Sequence, residues 1–152
     1  MPLAILRPET AVTLIESTKK KAAFLRQAAI DLGLGNVTVV DVRAEDAGRG
    51  ELRESFDIVV ARAVAALDWL AEWCLPLVKK GGKALAMKGE KAAVEIPLAA
   101  KAVQLMGGGA PIVHPVALPG SEHRVVVEIR KLGRTDRRYP RAATEAKGNP
   151  IR

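Results

Sequence analysis

The feature that most constrains the fold is an apolar run that ends at a carboxylate. Val12–Ile15 shows no polar alternation, and Glu16 follows it directly. A run of this kind is typical of a parallel strand that is buried on both faces. In open α/β sheets, ligands bind beyond the carboxyl ends of such strands, where a carboxylate can accept hydrogen bonds from a ribose. On this stretch alone, a solvated loop glutamate is the simpler interpretation of Glu16.

Three further apolar runs follow in the chain, at Val37–Val42, Phe56–Ala63 and Lys83–Gly89. They lead into or contain polar side chains, among them Glu45, Arg62 and Lys88. Parallel strands bring their carboxyl ends to one edge of a sheet, so we expect Glu16, Glu45 and Arg62 to cluster there. Arg62 is either an ion-pair partner for one of these carboxylates or a clamp for a carboxylate or phosphate of a ligand.

Helical patterns fill the intervals between the strands. Helices are predicted at residues 2–9, 17–32, 67–78 and 92–106, and Ser17 is the expected N-cap of the second. The last two predicted elements are strands, Ile112–Val116 and Arg124–Ile129. Their connection is too short for a helical crossover, so this pair is antiparallel. The order predicts a doubly wound α/β sheet that ends in an antiparallel hairpin.

Composition narrows the class of protein. A chain of 152 residues with 49% hydrophobic content can bury one core. The sequence contains neither an apolar run of membrane-spanning length nor a signal peptide, so we expect a cytoplasmic protein without a membrane partner. Cys74 is the only cysteine, which fits a reducing compartment. His114 and His123 have no companions at ligand spacing, so no metal site is predicted.

Positive charge is concentrated at the C-terminal end. Residues 1–129 carry 16 basic and 15 acidic side chains, whereas residues 130–152 carry 8 and 2. We therefore predict a domain over residues 1–131 and a basic tail over residues 132–152 that lacks periodic structure. Such a tail favours a polyanion, most simply RNA, and a solubilising end is the competing interpretation. Lys19, Lys20 and Lys21 suggest a second anion contact, with a solvated helix face as the alternative.

A series of short motifs occurs in one order along the chain. They are Pro2-Leu3-Ala4-Ile5, Val12-Thr13-Leu14-Ile15-Glu16-Ser17, Lys19-Lys20, Phe24-Leu25, Asn36-Val37, Arg43-Ala44-Glu45, Phe56-Asp57, Ala61-Arg62-Ala63, Lys88-Gly89, Arg124-Val125-Val126 and Tyr139-Pro140-Arg141. Over essentially the whole chain, this series resembles the bacterial small-subunit ribosomal RNA methyltransferase G family, also called glucose-inhibited division protein B.

The resemblance implies a Rossmann-like, class I methyltransferase fold and methyl transfer from S-adenosylmethionine to guanine N7 of small-subunit ribosomal RNA. It implies that Glu16 meets the cofactor ribose, that Ala44 and Glu45 contact its adenosine end, and that Arg62 lines its pocket. The residues expected to face the RNA are Lys19, Lys20, Lys88, Arg124, Arg137, Arg138 and Arg141. Lys88 and Arg124 alternatively support the cleft. Because guanine N7 has an in-plane lone pair, no general base is needed and no catalytic residue is assigned.

In the family, a first strand and a glycine-rich loop precede the motif that begins at Pro2, and Met1 stands here in place of the end of that loop. We therefore expect an N-terminally truncated, marginally stable domain that binds S-adenosylmethionine weakly or not at all. A non-catalytic RNA-binding remnant of the same fold is the main alternative. A Rossmann-type oxidoreductase is less favoured, because it has no need for Arg43-Ala44-Glu45 or Lys88-Gly89.

Overall fold

The computed structural model describes residues 1–62, 65–117, 119 and 123–151. The chain forms two compact units, Met1–Ala44 and Glu45–Arg152. Both contain parallel strands and helices that alternate along the sequence, so the predicted α/β class is confirmed. No helix in the described ranges has both the length and the apolar character that a membrane crossing requires.

The first unit is a small parallel β-α-β arrangement. Its elements are α1 (Pro2–Leu6), β1 (Val12–Ile15), α2 (Lys19–Asp31) and β2 (Val37–Val40). The strands pair in register, and Ile15 lies opposite Val40. The Asn36 side chain donates hydrogen bonds to the carbonyl oxygens of Ala4 and Thr10 at 3.1 and 3.0 Å, which fastens the end of α1 to the start of β2.

The second unit begins within α3 and contains a four-stranded sheet. Its elements are α3 (Ala44–Arg49), β3 (Phe56–Arg62), α4 (Leu67–Cys74), a 3₁₀ turn (Leu75–Leu77), β4 (Val78–Lys88), α5 (Ala92–Leu105), β5 (Ile112–Val116), β6 (Arg124–Arg130) and α6 (Ala143–Gly148). The strand order is β3-β4-β6-β5. β3 and β4 are parallel, whereas β6 is antiparallel to both β4 and β5. The predicted antiparallel hairpin is therefore confirmed.

The core of the second unit lies among α4, α5 and the sheet. The large apolar side chains that are almost completely excluded from solvent are Leu67, Leu75, Val78, Met106, Val127 and Ile129. Burial of each such side chain stabilises the fold by roughly 1.5–3 kcal/mol. This core fixes the positions of β3 and β4, whose carboxyl ends carry candidate site residues.

The start of β4 differs from the prediction. The helical pattern was expected to continue to Val78, with a turn at Gly81 and Gly82 before the strand. Instead, α4 ends at Cys74, and β4 runs from Val78 through both glycines. Pro76 occupies a 3₁₀ turn, because a proline in a helix interior removes a hydrogen bond and clashes with the preceding turn.

Residues 132–151 are packed as part of the second unit. Arg53 donates from its two terminal nitrogens to the carbonyl oxygens of Thr135 and Tyr139, at 2.6 and 2.7 Å. Glu54 accepts a hydrogen bond from the Thr135 N–H at 2.9 Å. The expectation of a tail without periodic structure is therefore wrong, since helix α6 covers Ala143–Gly148. The partners that hold this segment are about 80 residues away in the sequence, so local periodicity carried no sign of them.

Lys131 stands at the start of this segment and is completely buried. Its ammonium donates to the carbonyl oxygens of Leu75 at 2.9 Å and Met106 at 2.7 Å, and also to the hydroxyl of Thr135. Burial lowers the pKa of Lys131 to about 8, although the nearby Glu54 carboxylate opposes this shift. The side chain of Lys131 is thus an internal anchor of the second unit.

Candidate functional site

Glu16 lies at the carboxyl end of β1 in the first unit. Its N–H donates to the Val40 carbonyl oxygen at 3.1 Å, so the parallel pairing extends one residue past β1. Its side-chain Oε1 accepts a hydrogen bond from the Thr18 N–H at 2.8 Å. This bond is the main reason that the pKa of Glu16 lies below its usual value, with a further contribution from the positive charge of Lys21. Glu16 is therefore an ionised acceptor at neutral pH.

Helix α2 begins directly after Glu16 and carries the predicted lysine cluster. Thr18 occupies the N-cap position, so the prediction of Ser17 is wrong by one residue. Lys19, Lys20 and Lys21 are all exposed in the first turn. They are available to an anionic partner, and their cationic charge opposes the helix dipole.

Ala44 and Glu45 open helix α3, on either side of the division between the two units. Ala44 is half-buried. Glu45 is only 3% exposed, which the sequence did not indicate for a charged residue after a strand. Burial of a carboxylate costs a large free energy unless the group is paired or hydrogen-bonded. The position of Glu45 is therefore determined by contacts within the fold and not by contact with solvent. The predicted clustering of Glu16 with Glu45 and Arg62 involves both units and stays a prediction.

Within the second unit, three predicted residues share one edge of the sheet. Arg62 ends β3 and lies opposite Met87 of β4, next to Lys88. β6 runs antiparallel to β4 with Val125 opposite Lys88, so Arg124 also belongs to this edge. Arg62 and Arg124 are exposed. Among the residues that the structure describes, none forms an ion pair or hydrogen bond with the Arg62 side chain.

Lys88 is largely enclosed, with its side chain 10% exposed. Its ammonium forms an ion pair with Glu95 at 2.5 Å and donates to the Ala65 carbonyl oxygen at 2.7 Å. Glu95 also accepts the Leu67 N–H at 2.9 Å, which satisfies an orphan donor at the start of α4. These contacts connect the end of β4 and the first turn of α5 to Ala65 and to the start of α4. The proposed contact between Lys88 and RNA stays a prediction.

Glu95 is a site residue that sequence reasoning missed. It lies in the first turn of α5, where an acidic residue fits the helix dipole. The available signal was the combination of Lys88 at a strand end with an acidic residue in the next helix. In the structure, Glu95 joins β4, α4 and the loop after β3.

The basic residues near the C-terminus have unequal surroundings. Arg137 is exposed. Arg138 is also exposed and forms an ion pair with Asp136 at 3.2 Å. Arg141, in contrast, is enclosed: it forms an ion pair with the buried Glu72 at 2.7 Å and donates to the Asn149 carbonyl oxygen at 2.8 Å. Its contacts are those of a structural tie, and its predicted role in RNA binding stays a prediction.

Metal binding and nucleophilic attack by a thiol are two other kinds of chemistry that these side-chain types can perform. Within the described ranges, no group of three or more His, Cys, Asp or Glu side chains could hold a metal ion. Burial raises the pKa of the Cys74 thiol to about 12, so almost no thiolate forms at neutral pH. A thiol in this state does not act as a nucleophile.

Comparisons with known proteins agree with these features. A family model described as "rRNA small subunit methyltransferase G" matches residues 1–122. The protein named Ribosomal RNA small subunit methyltransferase G from Roseiflexus sp. (strain RS-1) is 48% identical over 152 residues, which are 99% of this chain and 65% of that protein. The chain spans about 65% of the length of the curated relatives it matches.

Solved structures resemble the chain in fold. The W203A mutant of the 16S rRNA (adenine(1408)-N(1))-methyltransferase from Catenulisporales acidiphilia matches with a TM-score of 0.72 and 13% identity, over 93% of this chain and 80% of that one. The same mutant with its cosubstrate SAM matches with a TM-score of 0.67 and 16% identity, over 89% and 80%. These likenesses confirm the predicted Rossmann-like methyltransferase fold.

Proposed function

The chain belongs to the rRNA small subunit methyltransferase G family, and we propose that it takes part in methyl transfer from S-adenosylmethionine to guanine N7 of small-subunit ribosomal RNA. The observation that supports this proposal best is the set of charged residues at the carboxyl ends of its parallel strands. Glu16 ends β1 as an ionised acceptor, and Arg62 ends β3 as an exposed cation.

The donor and acceptor set fits S-adenosylmethionine. Glu16 accepts the Thr18 N–H at Oε1. An ionised carboxylate has about four lone-pair sites in all, so Glu16 can also accept a hydrogen bond from a ribose hydroxyl. We assign Ala44 and Glu45 to the adenosine end of the cofactor and Arg62 to its pocket. Lys88 and Glu95 act indirectly, because they hold Ala65 and the start of α4.

The cofactor supplies an activated methyl group, and guanine N7 accepts it through a lone pair without losing a proton. The residues of this chain therefore need only to bind and orient the two reactants. Cys74, whose thiol stays protonated, takes no part in this scheme. The proposed reaction needs neither a metal ion nor a general base.

The proposed partner is small-subunit ribosomal RNA, which would place the protein in the cytoplasm. The exposed candidates for RNA contacts are Lys19, Lys20, Arg124, Arg137 and Arg138. Cations at such positions bind phosphate groups without regard to base identity and make binding dependent on salt.

Calorimetric titration with S-adenosylmethionine tests the cofactor assignment. We expect saturable, weak binding by the 152-residue chain and at least tenfold weaker binding by the variants E16Q and R62Q. Matched controls are E9Q and R7Q, which remove the same charges from an exposed ion pair of low energetic value. Equal binding by all four variants would contradict the assignment of Glu16 and Arg62.

Transfer of a labelled methyl group to small-subunit ribosomal RNA tests the activity itself. Label on guanine N7 is the expected product. RNA binding without cofactor binding or methyl transfer would support the alternative, a non-catalytic RNA-binding protein. The feature that favours this alternative is the exposure of Lys19 and Lys20, because their ammonium groups can bind RNA phosphates without a bound cofactor.

A further inference from the structure

A second basic surface lies near the amino end of β3, away from the edge that carries Arg62. A cavity of about 520 Å³ there is lined by one carboxylate, two glycines and four cationic side chains: Asp57, Gly81, Gly82, Lys79, Lys80, Lys83 and Arg130. We refer to these seven residues as the amino-edge surface. The resemblance to the family assigns none of them a role.

The amino-edge surface is built on an irregularity in the strand pairing. Phe56 pairs with Val78, but Ile58 pairs with Lys83, so four residues of β4 stand against one residue of β3. Gly82 permits this arrangement, because a Cβ atom there would lie 2.4 Å from the Asp57 carbonyl oxygen. Bulges of this kind re-aim side chains and are frequent near functional sites.

The bulge is held by Lys131, the residue that follows β6. Gly81 has a φ of +90°, a conformation that favours glycine, and its N–H donates to the Lys131 carbonyl oxygen at 2.8 Å. The Lys131 N–H donates in return to the Gly82 carbonyl oxygen at 2.9 Å. Because Lys131 is itself completely buried, Lys79 and Lys80 are carried on a fixed backbone.

The charges of this surface are not balanced. Lys83 lies directly opposite Arg130, and like charges in this arrangement are unfavourable. Glu128 lies between them, 3.5 Å from the Lys83 ammonium and 3.2 Å from the Arg130 Nε. Arg130 and Lys83 hold the pKa of Glu128 below its usual value.

The remaining two lysines face a single carboxylate. Lys79 pairs with Asp57 at 3.2 Å. Lys80 is exposed, and no described residue forms an ion pair or hydrogen bond with its ammonium. With Glu128 included, four cations therefore stand against two carboxylates.

We propose that the amino-edge surface binds phosphate groups of an RNA backbone. The proposal rests on the proposed function, in which ribosomal RNA is the substrate. Lysine ammonium groups act as point charges for phosphates, and Gly81, with no atom within 4 Å of the position of a Cβ, leaves the backbone open to close approach. The lining residues include no aromatic ring for base stacking, so the contacts are made to phosphates.

The position of the surface sets the length of RNA that it engages. Asp57 and Arg62 are five residues apart along β3, which corresponds to roughly 17 Å. An RNA whose target base lies at the Arg62 edge therefore continues along the second unit for several nucleotides before it reaches Lys80. The amino-edge surface would hold flanking RNA and not the target guanine.

The test is the salt dependence of binding to a labelled fragment of small-subunit ribosomal RNA. The double variant K79Q/K80Q should reduce the slope of log K against log salt by roughly 0.7–0.9 for each lost contact. K80Q alone should give about half the loss of the double variant. K101Q removes one charge from an exposed position of the second unit, as K80Q does, and should leave the slope unchanged.

Each alternative result has a distinct meaning. Equal slopes for K79Q/K80Q and the unchanged chain, in a chain that binds RNA, would overturn the proposal and leave the proposed function intact. Tripolyphosphate binding that is lost in K79Q/K80Q, with equal RNA slopes, would overturn it in favour of a small-anion site. Cofactor titration of the same variants should be unaffected, and a failure of the unchanged chain to bind cofactor would count against the proposed function alone.

Discussion

The two units of the chain differ in what fills their interiors. In the first unit, the buried apolar residues are three alanines, Ala4, Ala22 and Ala29. In the second unit, the core cluster contains fifteen buried residues, including leucines, valines, a methionine and an isoleucine. Alanine side chains contribute little hydrophobic stabilisation compared with leucine or isoleucine, so most of the free energy of folding is expected to come from the second unit.

The surface and the sheet of the first unit support the same conclusion. In the first unit, Leu6, Phe24 and Ile30 are 74%, 70% and 71% exposed. Its sheet has only two strands, and a two-stranded sheet is marginally stable by itself. Glu16, Lys19, Lys20 and Ala44 nevertheless belong to this unit. The candidate binding residues are thus divided between a weakly stabilised region and a well-packed one.

The largest loss of stability is expected from R141M, which tests whether residues 132–151 contribute to the stability of the second unit. R141M leaves the buried Glu72 without its cationic partner, and loss of one partner of a buried pair costs about 3–5 kcal/mol. R138M removes an exposed partner of Asp136 and should cost less than about 1 kcal/mol. Urea denaturation of both variants measures the difference. Similar losses would mean that residues 132–151 add little to the second unit.

A matched pair of leucine substitutions tests the comparison directly. L70A opens a cavity in the core of the second unit, where Leu70 is 4% exposed, and should reduce the free energy of unfolding by about 2–5 kcal/mol. L14A removes a half-buried side chain of the first unit, so we expect a loss of about 1 kcal/mol. A larger loss for L14A would reverse the assignment of stability to the two regions.

The pH dependence of the free energy of unfolding tests whether burial of Lys131 affects the stability of the second unit. Its pKa falls from 10.5 to about 8 on folding, so between these values the unfolded chain binds the proton more tightly. The contribution of this group to stability is therefore present above pH 10.5 and is lost as the pH falls to 8, a change of about 3 kcal/mol. K131M should lack this change, which denaturation at pH 8 and pH 10 would show.

The smallest expected effect concerns the lysines of the first unit. K19Q/K20Q should weaken binding to a ribosomal RNA fragment and reduce its salt slope by roughly 0.7–0.9 for each contact. Because both side chains are exposed, the free energy of unfolding should change by less than about 0.5 kcal/mol. An unchanged slope would support the interpretation of these lysines as a solvated helix face.

Elements defined by local patterns could be predicted from the sequence. The bounds of β1 and β5 agree with the predicted Val12–Ile15 and Ile112–Val116, because short runs rich in β-branched residues indicate strands. The edge position of Arg62 and Lys88 also followed from their place at strand ends. The family was recognised from short motifs in order, and the family model confirms it.

Features that depend on distant partners could not be predicted. Arg141 meets Glu72 across 69 residues of sequence, so a count of basic residues could not distinguish it from the exposed Arg137. The burial of Lys131 could not be predicted, because two of its three hydrogen-bond acceptors, in Leu75 and Met106, are 56 and 25 residues away in the sequence. The path of β4 through Gly81 could not be predicted for the same reason, since the backbone of Lys131, 50 residues away, holds it in place.

Backbone hydrogen exchange with and without S-adenosylmethionine measures whether the cofactor protects Glu16, Ala44, Glu45 and Arg62, the residues that we propose contact it. Without ligand, amides of β1 and β2 should exchange faster than those of β3, β4 and β6. Millimolar S-adenosylmethionine should then slow exchange at residues 16–18, 44–45 and 62. Unchanged exchange at all of these residues, or slowing confined to the amino ends of the strands, would contradict the proposed cofactor contacts.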